Sequence, residues 1–462
     1  MSESSTPTES SKASTNDAAN GPAVSNGSSP FNLDALKTAA PAADPSAPDQ
    51  PRRKVYESTL IPDRKSRSRP SAIILVGIIV VSAVLAYIVY APHPRRTLDT
   101  AGKMVYAAAD TPGGPSKIYY AGIDGSGAKA VGASTGIDDS PSFSPNGSQV
   151  TFISTRSGSE RQVFMMDADG QNVAPITRNS GSKSSPTFLP GSNGHMLGFT
   201  SSGVLSTADV ATGDADQAFP PPPKDNSHAA QGQTDTETAD AKLTVDDYAF
   251  APGAPDVDHQ SVALTLDDGN IQGFGVLPAI GQDVARSVPV GNRVSYGWSP
   301  DGKLLAVAVM GIVDPQAPGR SSLFLVKAPS EVRSTIIPPT GFPVPVGKNG
   351  KQAGFIGPEH PVFAPDGETV TFELWVQADL ADRSCHGLYR VGVAGGEPTQ
   401  LARGDAEQAQ FTPDGKSVLY LTKRDDGGHD LFEVGADGTG QRRLSDGKQD
   451  VTSFSISPQT GK

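Results

Sequence analysis

At 462 residues the chain is long enough for two or three ordinary domains or for one large repetitive one. Its 50 glycines and 40 prolines, beside only 6% aromatic residues, suit many short strands joined by tight turns better than long helices. The formal net charge is −12, and residues 1–69 carry none of that excess: the rest of the chain holds 29 Lys/Arg against 42 Asp/Glu, a surface that repels a phosphate backbone and excludes nucleic acid as a partner.

Residues 1–70 are rich in Ser, Thr, Ala and Pro and poor in large apolar residues. Such a segment cannot bury enough surface to offset the entropy of ordering, so it is expected to be a disordered tail. Phe31, Leu33 and Leu36 form its one short apolar stretch. Residues 71–91, SAIILVGIIVVSAVLAYIVYA, contain no charge. As a helix they reach roughly 30 Å, the thickness of a bilayer core. Tyr87 and Tyr90 stand near the far end, where an amphipathic ring suits the interface. Arg52, Arg53, Lys54, Arg64, Lys65, Arg67 and Arg69 precede the span, and only Arg95, Arg96 and Lys103 follow it. That bias puts the tail in the cytoplasm and the remainder outside. Val89-Tyr90-Ala91 imitates a cleavage site, but the long tail, the length of the apolar run and Pro92 favour an uncleaved anchor. Residues 92–102 then read as a linker.

From residue 103 a repeat takes over. In 138–178 it reads as strand A (Pro141 to Ser144), a Pro-Asn-Gly turn, strand B (Gln149 to Ser154), and a polar loop. Strand C (Gln162 to Asp167), an Asp-Gly turn and strand D (Val173 to Thr177) complete the unit. The strand A and turn motif recurs around Pro190, Pro252, Pro300, Pro365, Pro413 and Pro458, at intervals from 45 to 65 residues. A base period near 45 with loop insertions predicts an all-β propeller of seven four-stranded blades. The last copy holds a strand A alone, and the first segment, with strands at Met104 to Ala108 and Lys117 to Ala121, lacks one. The two ends are therefore expected to close one blade together, since an unclosed ring would leave two bare edges.

The pattern Pro-x-aromatic-Ser-Pro-Asp-Gly, followed by an Asp-Ala-Asp-Gly turn and a Leu/Ile-Thr strand end, resembles the TolB-type propeller repeat over roughly residues 100–462. The resemblance implies the propeller fold. Repeats of this kind serve in periplasmic scaffolds, peptidase accessory domains and some lyases, so function must come from the sites. TolB carries an α/β domain before a propeller that usually has six blades. Here residues 92–102 leave no room for one, and seven copies of the motif are present.

In such a blade the A–B and C–D turns share one face, and the B–C and D–A loops share the other. The second face takes nearly every insertion: 215–245 and 338–358 between D and A, 310–320 and 375–387 between B and C. Variable loops on a rigid scaffold are where recognition concentrates, which makes Asp314, Arg320, Trp375, Asp379, Arg383 and His386 candidate binding residues. Asp139, Asp246, Glu359 and Glu407 occupy one register ahead of strand A in four blades, around one mouth of the central channel. A carboxylate ring there suits a divalent cation or a basic segment of a partner. Solvated acids capping turns explain the same positions and are the favoured reading.

Signals for catalysis are weak. There is no Gly-x-Ser-x-Gly elbow, and Gly415-Lys416-Ser417 lacks the leading Gly of a phosphate loop, Gln410 standing in its place. Asp167-Ala168-Asp169-Gly170 imitates a calcium loop, but Arg178 stands where the closing Glu belongs. His195, His259, His360, His386 and His429 show no ligand spacing, and Cys385-His386 reads as an incidental pair in an exposed loop. The sequence thus predicts a non-catalytic, single-pass envelope protein whose periplasmic or extracellular propeller binds a protein or glycan through its long-loop face. A metal-assisted glycan lyase or hydrolase at the channel mouth, or a structural scaffold, are the competing readings. No cofactor is expected beyond a divalent cation at that mouth.

Overall fold

A computed structural model of the chain describes residues 99–220, 244–267, 272–280, 282, 288–291, 293–312, 320–327, 333–337, 355–377 and 383–458. The chain divides into residues 1–90 and 91–462. The expected tail and membrane span lie outside the described residues, among which no helix is long and apolar enough to cross a membrane.

The described strands form seven four-stranded antiparallel sheets. Blade 1 consists of Asp138–Phe143, Gln149–Ser154, Gln162–Asp167 and Ala174–Pro175, and its strands B and C have the limits expected from sequence. Strand A starts earlier than expected, taking in Asp138 and Asp139. Blade 2 is Ser184–Phe188, Met196–Ser201, Val204–Asp209 and Ala215–Phe219; blade 3 is Thr244–Phe250, Val262–Asp267, Gln272–Leu277 and Val288–Gly291. Blade 4 is Arg293–Trp298, Leu304–Ile312, Arg320–Lys327 and Arg333–Ile337, and blade 5 is Phe355–Phe363, Thr369–Gln377, Arg383–Gly392 and Thr399–Arg403. Blade 6 is Ala406–Phe411, Ser417–Lys423, His429–Gly435 and Arg442–Arg443.

Blade 7 is built from both ends of the propeller. Its strand A is Asp450–Ile456, and strands B, C and D are Lys103–Ala109, Ser116–Gly122 and Lys129–Ala130. Met104 pairs with Ile456 and Ala109 with Asp450, so the ring is closed by hydrogen bonds between segments far apart in sequence. The residues just before it are fixed as well. Thr100, fully buried, donates through its hydroxyl to Gly147 O at 3.0 Å and shares a 2.7 Å hydrogen bond with Ser457 Oγ.

The core lies between blades rather than within one layer. One apolar cluster fills each of the seven inter-blade spaces: Phe143, Phe152 and Phe164 meet Val105 and Ile118 between blades 7 and 1. Phe363, Phe372 and Leu374 likewise meet Leu323 and Leu325 between blades 4 and 5. Each large side chain so buried contributes roughly 1.5–3 kcal/mol.

The Pro-Asp-Gly turn serves both the hairpin and this packing. Around Pro300, Ser299 Oγ donates to Asp301 Oδ1 at 2.7 Å, and Gly302 N donates to Ser299 O at 2.9 Å. Gly302 lies at φ +67°, and a Cβ there would come 2.1 Å from Pro252 O in the neighbouring blade. Only glycine fits both demands.

Candidate functional site

Strand A is innermost in every blade, and consecutive A strands touch around most of the ring. Side chains alternate along it, as strand geometry requires. Pro141, Pro186, Tyr248, Tyr296, Pro361, Ala409 and Phe454 share one register and are all buried. The residue before each of these is Ser140, Ser185, Asp247, Ser295, His360, Gln408 or Ser453, and all but Ser295 are exposed or half-buried.

Six of the seven A strands break register just here, the strand of blade 4 alone being regular. Ser140, Ser185, His360 and Gln408 adopt left-handed backbone, with φ between 47° and 56°. A bulge re-aims its side chain and frees its amide, and the freed amides stitch neighbouring blades together. Ser140 N donates to Ser453 Oγ at 3.1 Å, His360 N to Ser295 Oγ at 2.8 Å, and Gln408 N to Glu373 Oε1 at 2.8 Å.

Of the four acids picked out by register, Asp139, Glu359 and Glu407 fall one step before this bulge and Asp246 lies within it, with different surroundings. Asp139 is held by Arg161, whose Nη2 lies 2.7 Å from both carboxylate oxygens. Asp246 accepts from Gln272 Nε2 at 2.8 Å. Glu359 is buried, and Glu407 is half-buried. Among the described residues no group of three or more His, Cys, Asp or Glu is placed to hold a metal ion.

The most polar part of the mouth is a group that sequence spacing did not reveal. Glu373, in strand B of blade 5, is fully buried and accepts from His360 Nδ1 at 2.9 Å and Trp375 Nε1 at 2.7 Å, besides Gln408 N. One carboxylate thus ties strands of blades 5 and 6. The His360 ring is 55% exposed to the channel yet walled by protein. Desolvation pulls its basicity down, but the hydrogen bond to Glu373 and the charges of Glu373, Glu359 and Asp247 outweigh that and hold it at about 9. The imidazole is then a cation at neutral pH. Desolvation pushes the nearby Asp247 carboxyl up, against a backbone hydrogen bond from Tyr248 and the charge of His360.

The six loop candidates separate. Asp314 and Asp379 lie outside the described residues. Arg320 opens strand C of blade 4, and Arg383 opens strand C of blade 5. Trp375 is not a loop residue: it belongs to strand B of blade 5, is buried, and is anchored on Glu373. His386 and Cys385 also lie in a strand, because Trp375 pairs with Cys385 and extends the hairpin beyond the expected loop. His386 is half-buried, with Nε2 3.4 Å from Ser384 Oγ. Cys385 is buried rather than exposed, and desolvation drives its thiol up to about 12, the charges of Glu373 and Glu407 adding to the effect.

Seven radially packed sheets, closed through one composite blade, define the class: a seven-bladed β-propeller. No family model matches the sequence. One stretch is similar to a protein TolB homologue of Chlorobium luteolum, 46% identical over 54 residues, which is 12% of this chain and 12% of that relative. Similar solved structures include TolB from Acinetobacter baumannii, with 15% identity, a TM-score of 0.45, and coverage of 84% of this chain and 73% of that one. The β-propeller domain of the Trilobed protease from Pyrococcus furiosus has 12% identity and a TM-score of 0.45, covering 75% of this chain and 95% of that one. An oligogalacturonate lyase in complex with manganese has 12% identity and a TM-score of 0.34, covering 64% and 87%.

Proposed function

We propose that the chain is a non-catalytic envelope protein, anchored through residues 71–91, whose propeller binds a protein or glycan partner on its long-loop face. The tail 1–70 is then cytoplasmic, 92–102 a linker, and 103–462 periplasmic or extracellular. The observation that carries the reading is the separation of the two faces. Strand B of blade 7 begins at Lys103 on the tight-turn face, where Thr100 is fastened to Gly147 and Ser457. Residues 221–243, 313–319, 338–354 and 378–382 all join strand ends on the opposite face. The chain thus enters the propeller on one face, and the strand ends that carry the long loops lie on the other.

The test is photocrosslinking in cells of the full-length protein, with a photoreactive residue at Arg320 or Arg383 on the loop face, or at Asp366 or Asp414 on the tight-turn face. A discrete adduct from the loop-face positions alone supports the reading. Adducts from the tight-turn face alone would refute it. Calorimetric titration with Ca²⁺, Mn²⁺ and Zn²⁺ addresses the competing lyase or hydrolase, which requires stoichiometric binding lost on replacing Asp139 and Glu359 by Ala.

A further inference from the structure

A cleft of about 510 Å³ opens between blades 6 and 7, within the size range of sites that enclose a ligand group. Its origin is local. The outer strands of these blades, Arg442–Arg443 and Lys129–Ala130, have two residues each, as does that of blade 1, where those of blades 2 to 5 have four or five. The floor is aliphatic, formed by Leu431, Leu444 and Val451. One wall is Tyr106 stacked on Tyr119, with ring centroids 5.2 Å apart and planes 10° from parallel. The lip is polar and comes from the loop face: Asp110 follows strand B of blade 7, and Asp446 to Gln449 connect blade 6 to strand A of blade 7.

The lip is ordered by its own hydrogen bonds. Gln449 Nε2 donates to Tyr119 Oη at 2.6 Å and reaches Asp110 Oδ1 at 3.4 Å. Asp446 Oδ1 accepts from Lys448 N at 2.9 Å, which sets that carboxylate at the rim while Lys448 stands exposed beside it. Arg424, whose Nη1 donates to Gln449 O at 2.7 Å, and Arg443, beside Gly447, are both paired with Asp430. Asp110, Asp446, Asp426 and Asp430 thus outnumber Lys448 and the two arginines and leave the lip negative, in a domain already rich in acid. An oligosaccharide finds partners for its hydroxyls at Asp110, Asp446 and Gln449 but none at Leu431, Leu444 and Val451, where burying a hydroxyl costs free energy. An apolar side chain meets that floor without such loss, and a cation beside it meets the lip.

We propose that this cleft receives an apolar side chain of a partner polypeptide, with an adjacent lysine or arginine of that partner lying against Asp110 and Asp446. The inference rests on the loop-face reading above and gives its partner a chemistry.

The probe is a set of short synthetic peptides with a central Leu, Met or Phe beside Lys or Arg. Matched sets carry Glu for the basic residue or Ser for the apolar one, and a panel of oligosaccharides is run alongside. Fluorescence anisotropy on the full-length protein should show binding by the basic-apolar set only, weakening with salt. Affinity should fall about tenfold in the double variant D110N/D446N, two exposed positions whose replacement leaves the melting temperature unchanged. A photoreactive version should attach within 444–449. No binding, preference for the Glu set, indifference to the double variant, or capture of oligosaccharides instead would each overturn the proposal. Attachment only to other segments of the loop face would remove the cleft and keep that face as the binding surface. Attachment only to the tight-turn face would remove both.

Discussion

His360 makes the stability of the ring depend on pH above neutrality. Its imidazole is raised from an ordinary 6.5 to about 9 by the balance described above, in which Glu373 is the chief opponent of desolvation. A basic group raised on folding adds stability that is fully present below the unfolded value and lost as pH climbs through the folded one. The window is therefore about pH 6.5 to 9. Undiminished, such a shift corresponds to roughly 3 kcal/mol. With more than half of the ring open to channel water, screening brings this to about 1–2 kcal/mol. Denaturant midpoints of the full-length protein and of His360→Gln, taken between pH 6 and pH 10, isolate the term. The two should differ most at pH 6 and converge by pH 10. Glu373→Gln is the harsher perturbation, since a neutral amide cannot accept from His360, Trp375 and Gln408 together. Breaking a buried charged pair costs about 3–5 kcal/mol. Parallel pH profiles for the protein and His360→Gln, or an imidazole resonance titrating near 6.5, would refute the reasoning.

Closure of the ring predicts that Phe454→Ala, which empties a buried site between blades 6 and 7, costs about 3–5 kcal/mol in thermal or chemical unfolding. A loss below 1 kcal/mol would mean that strand A of blade 7 is not held by its packing. Gly302→Ala should lower the melting temperature clearly, because left-handed backbone and a 2.1 Å approach to Pro252 O oppose any Cβ; an unchanged melting temperature would contradict the geometry of the turn. Cys385 should resist a thiol reagent at pH 8 until the protein unfolds, its thiol being held at about 12. Rapid labelling of the native protein would show that strand C of blade 5 opens.

The blades were legible because their determinants are local and repeated. A large apolar residue, x and Pro, completed by Asp-Gly in three copies, fix the end of strand A and the hairpin turn within a few residues, so seven copies could be counted and closed without a structure. The channel mouth was legible only to within one residue. Register pointed to Asp139, Asp246, Glu359 and Glu407, and not to the left-handed residues Ser140, His360 and Gln408 that follow three of them. No residue type announces that bulge, since serine and glutamine rarely adopt left-handed backbone and histidine is only enriched there. Glu373 was missed for another reason. It sits in strand B among Phe372, Leu374 and Trp375, and its three donors come from two other strands as well as its own. The same hairpin misled the reading of Cys385 and His386, because Ala-Asp-Leu-Ala-Asp resembles a loop while its flanks pair as strand.

Blade 7 sets a condition on the order of events during biosynthesis. Lys103–Ala109 is among the first strands made, and its inner neighbour Asp450–Ile456 is the last. Until those final residues emerge, the early strand keeps an open edge and six finished blades cannot seal. A polypeptide halted before residue 450 would thus carry a permanently unzipped seam, and proteases could sort truncated copies from whole ones by that edge alone.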